Sequence, residues 1–240
     1  MQKQIIGNAT LYCGDVLDVL PALSERFDAV ITDPPYSSGG IHKSDRSIAP
    51  SDKYVGHTQY AEFTGDNRDQ RSWAFWCSMW ISHALHRLNP GGYFMVFSDW
   101  RQLPALTDAF QAGGVLWRGL VVWDKTQASR APHTGYFRHQ AEYVVWDKCP
   151  HGGPFPGVIT QRVVPSEKLH MTAKPVQLMA ELVKPLAPDA HVLDPFMGSG
   201  TTAIPVLARG GRFTGIEMTN QYFDIACARI EKAQAEAAQV

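Results

Sequence analysis

Cysteine is scarce, and the four at 13, 77, 149 and 227 share no short spacing. That excludes the usual Cys-rich zinc patterns and argues against a disulfide scaffold, so a reducing, cytoplasmic setting is expected. Long hydrophobic runs are missing too. No segment approaches the roughly 18 apolar residues of a spanning helix. The start Met1-Gln2-Lys3-Gln4-Ile5 has no apolar signal core, so a soluble, unexported protein with no membrane partner is expected. Neither sign of charge dominates: 22 Lys+Arg against 23 Asp+Glu leave a formal net charge of −1. This excludes a protein that coats nucleic acid through bulk electrostatics, and leaves only a local basic face for such a partner. The nine histidines are scattered, without the close pairing and third ligand that zinc requires, so no metal is expected. No internal repeat or low-complexity stretch is visible.

What the chain does have is 45% hydrophobic and only 19% charged residues over 240 positions. That is enough to bury a single large α/β core, and one domain spanning 1–240 is expected. Short apolar runs that suit strands buried on both faces fall at 10–13, 28–32, 92–97, 116–123, 142–146, 191–194 and 212–216. Helical periodicity lies between them at 73–88, 103–112, 174–186, 201–209 and 220–237, with stops such as Asn89-Pro90-Gly91-Gly92 and Gly210-Gly211. The alternation reads as an α/β sheet.

The strand Ala29-Val30-Ile31-Thr32 ends in Asp33-Pro34-Pro35-Tyr36, residue types that suit work on a planar amino group. An amine on an aromatic base is a poor nucleophile because its lone pair is delocalised into the ring. A carboxylate (Asp33) and a backbone carbonyl (Pro34) accepting from the two N–H groups would draw the nitrogen toward tetrahedral geometry and free that pair, with Tyr36 stacked on the base. Pro34 and Pro35 stiffen the frame, since proline fixes its own φ and restricts the residue before it. The alternative is a plain Pro-rich turn after a buried strand.

Far downstream, His191-Val192-Leu193-Asp194 runs into Pro195-Phe196-Met197-Gly198-Ser199-Gly200-Thr201, a short strand, a Gly-punctuated turn and a helix start. Gly198 and Gly200 remove Cβ atoms where a ligand would approach the backbone. Such turns serve many nucleotides and also none. The next strand, 212–216, ends in Glu217, an acidic residue placed to accept from ribose hydroxyls; an exposed strand-end charge is the alternative.

Together these segments resemble the S-adenosylmethionine-dependent amino-methyltransferases of DNA. Asp33-Pro34-Pro35-Tyr36 is similar to their catalytic motif and Asp194 to Gly200 to their methionine-pocket motif, in the order of the permuted β group. Gly14-Asp15 resembles the segment that approaches the cofactor adenine. His170-Met171-Thr172-Ala173-Lys174-Pro175 resembles the family's His-Pro-Thr-Gln-Lys-Pro, departing at Met171 and Ala173. The resemblance implies a Rossmann-like seven-stranded methyltransferase sheet, mostly parallel, with one antiparallel strand at 142–146 near an edge and the last two strands central. It assigns Asp33, Pro34, Pro35 and Tyr36 to catalysis. It assigns Asp15, His170, Thr172, Lys174, Asp194, Phe196, Gly198, Ser199, Gly200, Thr201 and Glu217 to S-adenosylmethionine. The substrate implied is one extruded base of double-stranded DNA, adenine N6 ahead of cytosine N4 because the family's cytosine members more often carry Ser where this chain has Asp33. A homodimer is a further option, and a bacterial or phage setting with restriction–modification is implied. An RNA or protein-glutamine methyltransferase, or a silent nucleic-acid-binding relative, are the other readings.

Three irregular segments are where substrate choice should reside. The polar stretch 37–72 is too long for a mere connection. Segment 125–139 carries Lys125, Arg130, His133, Arg138 and His139 and no acidic residue, which suits phosphate contacts, with Tyr136 and Phe137 available to stack; an ordinary solvated loop is the alternative. Segment 150–167 stands where the family inserts its recognition domain and is very short, so specificity should be short or loose. Other constellations read as structure. Trp73, Trp76 and Trp80 suit the buried face of a helix, His83 and His86 ordinary helix positions, and Cys149 a plain loop thiol.

Overall fold

The computed structural model describes residues 1–36, 68–127, 129, 134–148, 153–163 and 174–237. The strands in chain order are β1 (Gln2–Ile6), β2 (Ala9–Cys13), β3 (Phe27–Thr32), β4 (Leu88–Ser98), β5 (Gly119–Asp124), β6 (Ala141–Trp146), β7 (Val158–Thr160), β8 (His191–Asp194) and β9 (Arg212–Glu217). The helices are α1 (Val16–Ala22), α2 (Gln70–Leu85), α3 (Leu103–Ala112), α4 (Val176–Val183), α5 (Ala203–Ala208) and α6 (Asn220–Ala237). Among the described residues no helix is long and apolar enough to cross a membrane.

Alternation along the strands builds the layers. In β3, Ala29 and Ile31 enter one apolar cluster and Val30 the other, and all three are wholly buried. The Ile31 side is covered by α4, α5 and α6, with Leu182, Val206 and Ile230 in contact; the Val30 side is covered by α1, α2 and α3 through Val19, Trp80 and Phe110. The sheet has nine strands in the order β1-β2-β9-β8-β3-β4-β6-β5-β7. Strands β2, β9, β8, β3 and β4 run parallel, so the late strands β8 and β9 sit between the early β2 and β3, as the permuted motif order implies.

All seven expected strands are present, and two more extend the edges. β1 is a polar edge strand made by a two-residue hairpin, with Gly7 at φ 51° and Ile6 opposite Ala9. β7 lies in the short segment after Gly153, parallel to β5. Antiparallel β6 therefore stands third from its edge rather than near it, and β1 is a second antiparallel strand. Two local expectations also change. Asn89-Pro90-Gly91-Gly92 does not stop a helix but bulges inside β4, whose pairing with β3 steps from Phe27↔Leu88 to Ala29↔Tyr93. Helix α1 went unread; Asp15 is its N-cap, its carboxylate accepting from the Leu17 amide at 2.8 Å.

Candidate active site

The register aligns Cys13 with Glu217, Asp194 with Gly215, Val30 with Leu193 and Thr32 with Val96, so the C-terminal ends of five parallel strands form one rim. Ligands of open α/β sheets bind along such a rim. Asp33-Pro34-Pro35-Tyr36 leaves it from β3 and is held from two sides. The indole Nε1 of Trp73, on α2, donates to the Pro35 carbonyl at 2.7 Å. The Tyr36 hydroxyl donates to one Asp33 oxygen, and the Lys174 ammonium donates to the other at 2.5 Å. The Pro34 carbonyl accepts from no described residue.

Lys174 is not isolated with Asp33. Its ammonium also lies 3.3 Å from Glu142, which sits at the start of β6 and pairs at 3.0 Å with Lys125. The result is a half-buried array of alternating sign, Lys125, Glu142, Lys174, Asp33. Burial pushes the Asp33 carboxyl above its usual range, held back by Lys174 and by the Tyr36 hydroxyl. Burial alone would lower Lys174, but Asp33 and Glu142 together raise it, so it stays charged. Burial would raise Glu142, but its two lysines outweigh that and lower it. Tyr36 is pushed well up by burial and by Asp33, so its hydroxyl remains a donor.

The second motif turns off β8. The Asp194 carboxylate accepts from Thr32 and Thr202 hydroxyls, each at 2.6 Å, and from the Phe196 amide at 3.1 Å. This ties the tip of β3 to the glycine turn, and burial raises Asp194 to about 6 despite these donors. Gly198 and Gly200 take φ of 51° and 76°, a region costly for any residue with a Cβ. Phe196 packs against Trp76 and Trp80, with centroids at 5.3 and 5.1 Å. Ser199 and Thr201 face inward, where Arg229 of α6 donates to both hydroxyls and to the Ser199 carbonyl at 2.9–3.3 Å. Glu217 accepts from the Thr219 amide and hydroxyl at 2.9 and 2.7 Å. Burial raises it against these bonds and against the Gly198 amide, which puts its carboxyl beside the turn. The Gly14 amide donates to the Glu217 carbonyl at 2.9 Å, bringing Asp15 to the same place.

The two motifs and Lys174 thus meet at one rim, while the basic segment divides. Lys125 turns inward to Glu142, its side chain only 15% exposed. Arg138 and His139 are exposed, the former donating to the Ser129 carbonyl at 2.8 Å. Arg130, His133, His170 and Thr172 lie outside the described residues, as does most of 37–72. Sequence reasoning missed Trp73, Glu142 and Arg229. Trp73 was assigned to the core, where it is; its indole N–H is the added role. Glu142 and Arg229 carry no local pattern, since their partners come from other elements.

Comparison with known proteins gives the chain a family and a shared fold. The N6/N4 methylase family model, described as DNA methylase, matches residues 27–150 and 149–228. Type II methyltransferase M2.DpnII of Streptococcus pneumoniae is 26% identical over 231 residues, 86% of this chain and 83% of that protein. Among solved structures, the complex of M1.HpyAVI with SAM superimposes with a TM-score of 0.67 at 21% identity, over 92% of this chain and 98% of that one. The cytosine-N4-specific PvuII DNA methyltransferase does so with a TM-score of 0.67 at 18% identity, over 96% and 91%. At these identities both show a shared fold.

Proposed function

The chain belongs to the N6/N4 family of DNA methylases, and from that premise we propose that it transfers a methyl group from S-adenosylmethionine to the exocyclic amine of an extruded DNA base, adenine N6 ahead of cytosine N4. One observation carries the reading: Asp33 is held ionisable beside a Pro34 carbonyl that accepts from no described residue, at the end of a buried strand. Two acceptors on a stiff frame are what a planar NH2 requires.

The rim fits the cofactor by its donor set. A half-buried carboxylate, Glu217, and two left-handed glycines line adjacent strand ends, and Phe196 supplies an apolar wall. Glu217 would hold the ribose, the turn 196–200 the methionine moiety, and Asp15 the adenine side. Asp194 acts one step back, by fixing the turn to β3. When bound, the cofactor supplies an electrophilic methyl group. The chain's own residues do the rest. Asp33 and Pro34 accept from the amine and turn its lone pair outward, Tyr36 stacks on the base, and Trp73 keeps Pro35 from moving. Extruding the base costs a few kcal/mol, offset by these contacts, and orientation supplies most of the acceleration. Asp33 in place of Ser favours adenine.

Incubation with labelled S-adenosylmethionine and double-stranded DNA, followed by nucleoside analysis, should give N6-methyladenine. Asp33→Ala should abolish transfer while cofactor affinity stays within a few fold, because Asp33 acts on the amine. N4-methylcytosine alone would reverse the base assignment and keep the chemistry. Methylation of RNA or protein alone would overturn the substrate.

A further inference from the structure

Trp100 follows β4 by two residues and is 51% exposed, whereas Trp73, Trp80 and Trp123 are at most 2% exposed. The register fixes where it stands. Thr32 pairs with Val96 across β3 and β4, and Ser98 pairs with Tyr143 across β4 and β6. The chain leaving β4 therefore emerges beside Asp33-Pro34-Pro35-Tyr36 on one side and the residues preceding Ala141 on the other. There His139 stacks on Trp100, with centroids 5.9 Å apart and planes at 25°. The ring is also braced from below. Asp99 accepts from the Arg101 and Gln102 amides at 2.9 and 3.1 Å and pairs with the Arg101 guanidinium at 2.5 Å, which sets Arg101 6.0 Å from the Trp100 centroid. Tyr136 and Phe137, 67% and 97% exposed, precede His139 on the same segment.

An aromatic ring flanked by a stacked imidazole and a tethered turn, yet open to solvent beside the Asp33 segment, is suited to receive another flat ring. Base–aromatic stacking is tolerant of sequence, because every base has a π-face. Arg101, the cation over the Trp100 ring, is already paired with Asp99. We propose that Trp100, backed by His139, is a stacking platform for a nucleobase of the DNA strand next to the base that enters the Asp33 site. This rests on the DNA-methylase reading above.

The test measures binding of a short mixed-sequence duplex and its single strands by the full chain with S-adenosylhomocysteine present, over a range of salt. Trp100→Ala should weaken binding roughly 5- to 150-fold, the range of one lost base stack, and leave the slope of log affinity against log salt unchanged. Trp100→Phe should recover most of the loss and Trp100→Leu should not, with melting temperature and cofactor affinity matching the parent in all three. Unchanged affinity in Trp100→Ala would overturn the proposal. So would a loss accompanied by a slope reduced by about one unit, the mark of a phosphate contact, or a change in oligomeric state with DNA affinity intact, which would make the patch a protein interface. If the parent protein itself neither binds nor methylates DNA, the functional reading fails, a result separate from any effect of Trp100.

Discussion

Asp33 is the stronger acceptor for an amine as the carboxylate, so the charges around it set the acid limit of activity. Burial, with Glu142, raises its pKa against the pull of Lys174 and Tyr36, and Asp33 adds a little to the rise that burial imposes on Asp194. Transfer should fall as pH drops through the elevated Asp33 pKa. Glu142→Gln removes an anion that raises Asp33 and leaves the Lys174 ammonium to Asp33 alone; both changes lower Asp33. The acid limb of kcat/KM should therefore move to lower pH, while at neutral pH DNA must displace a tighter ion pair and kcat/KM should drop several-fold. A pH–rate profile checks this, and an acid limb that stays in place or moves up would show that Glu142 does not act on Asp33. Lys174 stays charged throughout that range, because its neighbours raise it. Lys174 was legible through its motif. Its contact with Asp33, across 141 positions of chain, was not, because tertiary pairing and no local spacing makes it.

Among the elements, β8 carries two titrating groups of opposite sense at its ends. His191 begins the strand, buried against Phe27 at 4.6 Å and hydrogen-bonded to the Thr214 hydroxyl at 2.9 Å, and burial with nearby Arg212 lowers it from 6.5 to about 4. Asp194 ends the strand, and burial raises it from 3.8 to about 6. A histidine lowered in the folded state stabilises above its unfolded pKa and loses that stability as pH falls from about 6.5 to 4. A carboxylate raised in the folded state does the reverse, losing stability as pH rises from about 4 to 6. Each shift is on the order of 3 kcal/mol at about 1.4 kcal/mol per unit, so over pH 4–6.5 they nearly cancel. Asp194→Asn should expose the histidine, with stability falling toward pH 4, and His191→Gln should expose the aspartate, with stability rising toward pH 4. Denaturant melts across that window check both, and parallel profiles in the two variants would contradict the assignment. The strand itself was legible, since four buried residues between turn signals read clearly. The elements that escaped lacked that contrast. β1 is polar and exposed, α1 has seven residues including Pro21, and β7 has three. Gly7-Asn8, a hairpin signal between Ile6 and Ala9, would have revealed β1.

Across the whole molecule, the glycine turn 196–200 is where all three layers meet. Phe196 reaches the α2 layer, Met197 lies against Gly215 in the sheet, where a Cβ would come within 2.3 Å of its sulfur, and Arg229 reaches in from α6. Arg229 is the unusual member, a half-buried guanidinium whose pKa is lowered by burial and with which no carboxylate among the described residues pairs. A partly desolvated cation without a counter-ion gains little for folding, so its three bonds to Ser199 and Thr201 serve the shape of the turn more than the stability of the chain. Replacing it with an apolar side chain of similar length should separate the two. Arg229→Met should leave the unliganded protein within about 1 kcal/mol of the parent or above it, because the desolvation penalty goes with the charge. The same change frees the turn, so cofactor binding must first order it, and S-adenosylmethionine affinity should fall roughly tenfold, about 1.4 kcal/mol. Arg229→Lys keeps a donor on the same stem and should fall between. Denaturant melts of the free protein and calorimetric titration with S-adenosylmethionine measure the two quantities, and a variant that loses stability while keeping affinity would mean that Arg229 holds the fold rather than the turn.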